Sequence, residues 1–486
     1  MIDTEALRKK VIDLAIQGKL TEQLPSDGDA ETLYAQIQEE KTKQIKEGKI
    51  KKDKPLPEAT DSDIPFEIPR NWKWVRFGET TFIERGGSPR PIKSYITDSE
   101  DGINWIKIGD VEKGGKYIYS TKEKIIPEGE KKSRRVYPGD FLLTNSMSFG
   151  RPYISKVEGC IHDGWLLIRD LKGFSADYLY YLLSSSYMYG QFCNKASGAT
   201  VDNLNIDKVN TAMIPLPPME EQKRIAEVID KVDVSIKAID DLQAKYSNDL
   251  AVLKSKIIDA GIQGKLTEQL PEDGNAEDLY AQILNQKSQL IKEGKIKKEK
   301  PLPDIAADEI PFEIPKNWKW VRWGTVVNVV SARRVHQSDW RKEGIPFYRA
   351  REIAKLADTG TVDNDLFISE ELYNKFSKSG VPKCGDLMVT GVGTLGKTYV
   401  VKENEKFYYK DASVLCFENY GGLVAPFLKH LMDSDTMHAQ INSNSGGTTV
   451  DTLTMVRMNQ YLMPLPPLEE QKRIVERIDA ILEQLN

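Results

Sequence analysis

The 486-residue chain has no run of about 18 apolar residues, so the sequence offers no membrane-spanning helix. Its opening, MIDTEALRKKVIDLAIQGK, is charged throughout and does not read as a secretory leader. Cysteine is scarce. Cys160, Cys193, Cys384 and Cys416 show no C-x-x-C spacing, and only four histidines accompany them. That argues against a zinc site and points to a reducing, cytoplasmic setting. Net positive charge is also missing, the total being −5. Its distribution is uneven: 20 basic residues face 17 acidic ones in 72–212, and 18 face 16 in 318–461. Two blocks at +3 and +2 leave −10 for the remainder, so any nucleic-acid contact must come from local clusters.

What the chain does have is a long seam and a duplication. From Met219 to Gly261, apolar residues recur at Ile225, Ile229, Val232, Ile236, Ile239, Tyr246, Leu250, Leu253, Ile257 and Ala260. The steps alternate four and three once Gln243 is admitted, which is a heptad pattern, and no proline interrupts it. A helix of that length spans roughly 60 Å and needs a partner for its stripe. The segment 11–37 returns at 257–283 with 21 of 27 positions identical. IPFEIPRNWKWVRFG (64–78) returns at 310–324, and PLPPMEEQKRI (215–225) at 464–474. Between these scaffold segments lie two bodies of similar length that barely resemble each other.

The C-terminal tail copies the first part of the central helix, Ile474, Ile478, Ile481 and Leu485 matching Ile225, Ile229, Val232 and Ile236. The N-terminal stretch copies its last part, Leu7, Val11 and Leu14 matching Leu253, Ile257 and Ala260. Both termini are therefore expected to pack antiparallel on the central helix and together stand in for a second one, with a pseudo-two-fold axis between. Gly18 or Gly264, then Pro25 or Pro271, ends each helix. A short polar helix (30–47) and a Pro-rich, charged tether follow. Strands are expected at 104–108, 141–144, 165–168, 346–349, 386–390 and 397–401, and body-closing helices at 176–189 and 424–438. Trp72, Trp74, Trp318 and Trp320 recur in both copies of NWKW, which predicts packing of each body on its tether rather than stacking on bases.

These duplicated boxes (AIQGKLTEQLP, IKEGKIKK, IPFEIP-NWKWV and PLPP-EEQKRI), interleaved with two divergent bodies, resemble the DNA-specificity (S) subunit of type I restriction-modification enzymes over essentially the whole chain. The resemblance implies an α+β chain in which two mixed α/β target recognition domains are joined by long antiparallel coiled-coil helices with pseudo-two-fold symmetry. The segments are then 1–19, an N-terminal helix completing the second spacer; 20–65, helix and tether; 66–218, the first recognition domain; 219–264, the central spacer helix; 265–311, helix and tether; 312–467, the second recognition domain; and 468–486, the C-terminal spacer helix. It further implies double-stranded DNA, two methyltransferase (M) subunits and two motor-nuclease (R) subunits as partners, and no membrane. No cofactor is expected in this chain; S-adenosylmethionine and ATP with Mg would belong to the partners. Each domain would read one half of a split, asymmetric site.

Residues for DNA contact are expected on loops. In the first body these are Arg85, Ser88 and Arg90 in ERGGSPRP (84–91), made exposed by its Gly and Pro content; Asn145, Ser146, Ser148 and Arg151 in NSMSFGR; and Ser197, Thr200 and Asn203, with Lys107, Arg134, Arg135 and His162 nearby. In the second they are Arg333, Arg334, His336, Arg341, Arg349, Arg351, Thr390, Thr394, Lys397, Thr448 and Thr449. Arginine and asparagine suit base edges, and lysine, serine and threonine suit phosphates.

GVGTLGKT (391–398) also fits the phosphate-cradling G-x-x-x-x-G-K-[ST]. That motif needs a helix next, whereas Tyr399, Val400 and Val401 predict a strand. No NPPY-type methyltransferase motif and no nuclease carboxylate–lysine cluster stands out. The alternatives to a DNA-specificity chain are a nucleotide hydrolase using Lys397 and Thr398, or a scaffold gripping proteins.

Overall fold

The structure is a computed structural model that describes every residue except 53, 54, 59, 61, 62, 113, 146–148, 195–203, 299, 378, 379, 444–451 and 486. Two compact units divide the chain, Met1–Ala244 and Lys245–Asn486. No helix among the described residues is long and apolar enough to cross a membrane.

The predicted central helix is one unbroken element, Met219–Ile262, with Glu220 and Glu221 in its first turn, where carboxylates favour the helix dipole. Its first half belongs to the first unit. There the N-terminal helix Thr4–Ala15 runs antiparallel to it. The Ile2 amide meets Gln243, the Thr4 hydroxyl meets Asp240, and Arg8 Nε meets Asp233 at 2.8 Å. In the second unit the other half packs on the C-terminal helix Leu468–Gln484, where Gly261 lies against Ile474 and Ile478.

The expected seam is only partly a seam. Ile225, Ile229 and Ile236 are buried, but Tyr246 is 62% and Leu253 44% exposed. In the N-terminal helix Ile12, Ala15 and Ile16 are buried, rather than Leu7, Val11 and Leu14. The reason lies in what covers them. Those buried residues share one core with Trp72, Ala30, Ile225 and Ile229, so a body caps the helix end where a coiled coil would have presented a second seam.

A short antiparallel ladder ties each body to its helix. Lys73–Arg76 pairs with Met213–Leu216, and Lys319–Arg322 with Leu462–Leu465. Beneath it sits a buried carboxylate. Glu221 accepts from Trp72 Nε1 (2.8 Å), Thr21 Oγ1 (3.0 Å) and Gln23 Nε2 (3.0 Å); Glu470 accepts from Trp318 Nε1 (2.7 Å) and from Thr267 and Gln269. Trp74 and Trp320 lie edge-on to Phe66 and Phe312. The repeated tryptophans thus pack as predicted. The tether is less free than expected: buried Arg76 donates to the carbonyls of Pro57 and Glu58 and to Asp63, and Arg322 does the same for Pro303, Asp304 and Glu309.

Within each body two sheets adjoin. In the first, one sheet runs in the order Thr81–Arg85, Trp165–Asp170, Phe141–Thr144, Pro152–Ser155, Tyr117–Ile118. The second body repeats it as Asn328–Ser331, Val414–Glu418, Leu387–Thr390, Thr398–Val400. The other sheet holds a parallel pair in both: Ile103–Ile106 with Gly159–Ile161, and Ile345–Tyr348 with Tyr408–Tyr409. The second body adds helices Ala350–Thr359 and Glu370–Ser377, which sequence reasoning did not foresee.

Each body-closing helix, expected whole, is broken once. Ser185 separates Ala176–Ser184 from Ser186–Asn194, and Ser434 separates Ala425–Asp433 from Asp435–Ser443. Both serines have extended backbone, and their hydroxyls cap the next helix by accepting from Met188 and Met437 amides at 3.1 Å.

Candidate nucleic-acid interface

Three connections converge at one end of the first body's sheet: the loop after Thr81–Arg85, the hairpin after Phe141–Thr144, and the turn before Trp165–Asp170. The loop 84–91 is less open than its Gly and Pro content predicts. Gly86 and Pro89 are buried, and a Cβ on Gly86 would stand 2.1 Å from the His162 carbonyl oxygen. The glycines let backbone meet backbone, the Gly86 amide donating to Trp165 O (2.9 Å) and the Gly87 amide to Ile161 O (3.2 Å). Beyond that anchor, Ser88 Oγ donates to Asp163 Oδ1 (2.7 Å), Arg90 to Asp163 Oδ2 (3.3 Å), and Arg85 Nε to the Asp163 carbonyl (3.4 Å). Asn145 Nδ2 donates to the same carbonyl at 2.8 Å. The Ser88 hydroxyl holds the Asp163 carboxyl below its usual range, and Arg90 adds to the effect. Four expected contact residues therefore meet at one aspartate.

The remaining expectations scatter. His162 is mostly buried between Trp105 and Trp165, its ring centroid 6.3 Å from each. Its Nδ1 accepts from the Gly164 amide at 2.8 Å, and burial pushes its pKa down. Lys107 is tied to Glu123, Arg134 to Glu84 (3.1 Å), and Arg135 to Glu158 (2.8 Å). Arg151 is exposed and has no ionic partner among the described residues. Ser146, Ser148, Ser197, Thr200, Asn203, Thr448 and Thr449 lie outside the described residues.

In the second body the same three connections converge. Arg334 reaches Asp411 at 3.3 Å, the Arg333 amide donates to the Tyr408 hydroxyl at 2.9 Å, and exposed His336 heads a short turn. Arg341 folds onto the Ser338 carbonyl at 2.9 Å. Arg349 and Arg351 flank Glu352 at 2.9 and 2.7 Å and share Asp365. Burial acts to raise the Glu352 pKa, but the two guanidinium groups outweigh it and hold the carboxyl at about 2.

The glycine-rich 391–398 loop is a hairpin between Leu387–Thr390 and Thr398–Val400, and no helix follows it. Lys397 Nζ pairs with Asp358 at 2.5 Å, and the buried Thr398 hydroxyl donates to Gly396 O at 2.9 Å. Neither faces a phosphate cradle, so the nucleotide-hydrolase alternative loses its site.

That hairpin has a twin in the first body, at the position the sequence pairs with it, 145–151. Buried Thr390 accepts at Oγ1 from the Lys397 amide (3.0 Å), as Thr144 does from the Arg151 amide (2.9 Å). The Gly396 and Gly150 amides donate to the Thr390 and Thr144 carbonyls, both at 2.9 Å. Both glycines have positive φ, +79° and +71°. The Leu453 and Leu204 amides close the outer side on Gly391 O and Asn145 O. One frame thus presents two different loop sequences. The two loops share a threonine seven residues before a basic residue and six before a glycine, and their place in the duplicated chain pairs them. Asp163 and Asp411 carry no signal in the sequence, because a carboxylate is repelled by phosphates and is not expected on a face that meets DNA.

A family model described as "Type I restriction modification DNA specificity domain" matches residues 69–245 and 315–486. The EcoAI specificity subunit of a type I restriction enzyme from Escherichia coli is 27% identical, the alignment covering 99% of this chain and 89% of the relative. The EcoEI specificity subunit, also from Escherichia coli, is 25% identical over 97% of this chain and 88% of its own. A solved structure described as "Structural basis underlying complex assembly and conformational transition of the type I R-M system" shares the fold with a TM-score of 0.53 at 19% identity, covering 87% of this chain and 92% of that one.

Proposed function

The chain belongs to the type I restriction-modification DNA specificity family, and from that premise we propose that each of its two bodies reads one half of a split, asymmetric duplex site. It is the specificity subunit of such a system, and relatives matched over most of their own length support this. Its contribution is recognition. Methyl transfer, with S-adenosylmethionine, belongs to M subunits, and ATP-driven translocation and cleavage to R subunits, two of each by analogy with the family. The expected DNA contacts are the exposed loop residues Arg85, Arg90 and Arg151 in the first body and Arg333, Arg334, His336 and Thr394 in the second, with buried Asn145 fixing the first body's loop against Asp163. The central helix sets the gap between half-sites and, with the terminal helices, offers the surface on which M subunits dock.

The observation that carries the reading is the matched pair of hairpins. Matching hydrogen bonds close the two hairpins at Thr144, Gly150 and Arg151 and at Thr390, Gly396 and Lys397, and the intervening sequences share almost nothing. A constant frame with variable tips is what two readers of different sequences require. The test is exchange. Replacing 77–212 with the corresponding body of a relative, in a complex with its M subunit, should change one half of the methylated site and leave the other half and the gap intact. Methylated positions mapped on random-sequence duplex DNA decide the matter; a change in both halves, or in neither, rejects the assignment.

A further inference from the structure

Asp163 and Asp411 occupy corresponding turns, three residues before Leu166 and four before Leu415. Leu166 pairs with Arg85 and Leu143; Leu415 pairs with Ser331 and Val389. Three residues past Arg85 is Ser88, bound to Asp163; three past Ser331 is Arg334, bound to Asp411. The two bodies have different loop sequences here, yet both fasten the loop after the first strand to an aspartate in the same connection.

The arginines so held are hardly covered. Arg90 is 80% and Arg334 73% exposed at the side chain, and each touches its aspartate at 3.3 Å. A guanidinium has five N–H donors. One contact with a carboxylate orients the plane and leaves the remaining donors outward. A guanidinium oriented in advance loses less freedom on docking, and two of its outward donors match guanine O6 and N7. An aspartate near phosphates would otherwise be repelled by them; tying it to an arginine offsets that repulsion.

Resting on the reading of the bodies as DNA readers, we propose that Asp163 and Asp411 are positioning residues for target recognition. Each orients one arginine, Arg90 or Arg334, to read a purine edge in its own half-site. Neither aspartate need touch a base.

The experiment uses the whole chain in complex with its M subunit, methylating a random-sequence duplex library, with Asp163→Asn, Asp411→Asn, Arg90→Ala and Arg334→Ala as variants. Asparagine keeps an acceptor for Ser88 but removes the charge that holds the guanidinium. Asp163→Asn should lower preference at one base of one half-site by about tenfold, and Arg90→Ala should lower it at the same base. Asp411→Asn and Arg334→Ala should act together at one base of the other half. A merely structural role would lower the rate of methylation without changing which base is preferred. Unchanged preferences in the aspartate variants overturn the proposal. So does relaxation by Asp163→Asn at a base that Arg90→Ala leaves alone, since the carboxylate would then be reading directly. If the unaltered complex methylates no split site, the reading of the bodies fails as well; if it does and only the variants disagree, this inference alone fails.

Discussion

A single carboxylate, Glu221, gathers the N-terminal linker, the tether and the central helix of the first unit, and Glu470 repeats the arrangement in the second. Removing it leaves the buried Trp72 indole N–H without its acceptor and takes one from the half-buried Thr21 hydroxyl. Glu221→Ala is therefore expected to cost about 2–4 kcal/mol, read as a lower urea midpoint for the first unit, whereas Glu221→Gln keeps an acceptor and costs less. Glu352 supports a pH prediction. Its folded-state pKa is held at about 2, below an ordinary glutamate. The stability it supplies is thus complete above the unfolded value, about 4.3, and lost as pH falls towards 2. Glu352→Gln should destabilise the second unit by roughly 2–4 kcal/mol at pH 7 and by little at pH 2. Urea midpoints of both proteins across that range check the convergence.

Among elements, the twin hairpins show how a frame outlasts its sequence. In the second body buried Thr390 accepts one amide hydrogen and donates to the Thr394 carbonyl. Thr390→Val removes both bonds and should cost about 1–3 kcal/mol, while Thr390→Ser should retain most of the stability; equilibrium unfolding distinguishes them. The broken body-closing helices follow the same logic. An apolar helical periodicity runs across Ser185 and Ser434, but each hydroxyl binds local backbone on both sides and turns the chain there.

For the whole molecule, duplication makes the units alike in scaffold and unlike at the loop tips. The central helix is continuous where the two units divide, at Ala244 and Lys245. Four residues inserted there lengthen it by about 6 Å. Each unit's own unfolding should be unaffected, and the gap between methylated half-sites should grow by about two base pairs; mapped methylation sites measure it. Phosphate contacts from exposed arginines should make binding by the complex fall steeply with salt, which titration of a fluorescent duplex would report.

The residues alone determined the long helix, the duplication of the scaffold segments, the packing role of the NWKW tryptophans and the rejection of a nucleotide loop, because each rests on local periodicity or on a copied motif. Three-dimensional packing decided the rest. Which face of the N-terminal helix is buried depends on the body above it, so Ile12, Ala15 and Ile16 replaced the heptad positions. Which basic residues stay available depends on acids distant in sequence: Glu352 and Asp365 engage Arg349 and Arg351, Asp358 engages Lys397, and Asp163 holds Arg90 while leaving it exposed. An ion pair needs two charges within about 4 Å, and only the folded chain sets that distance.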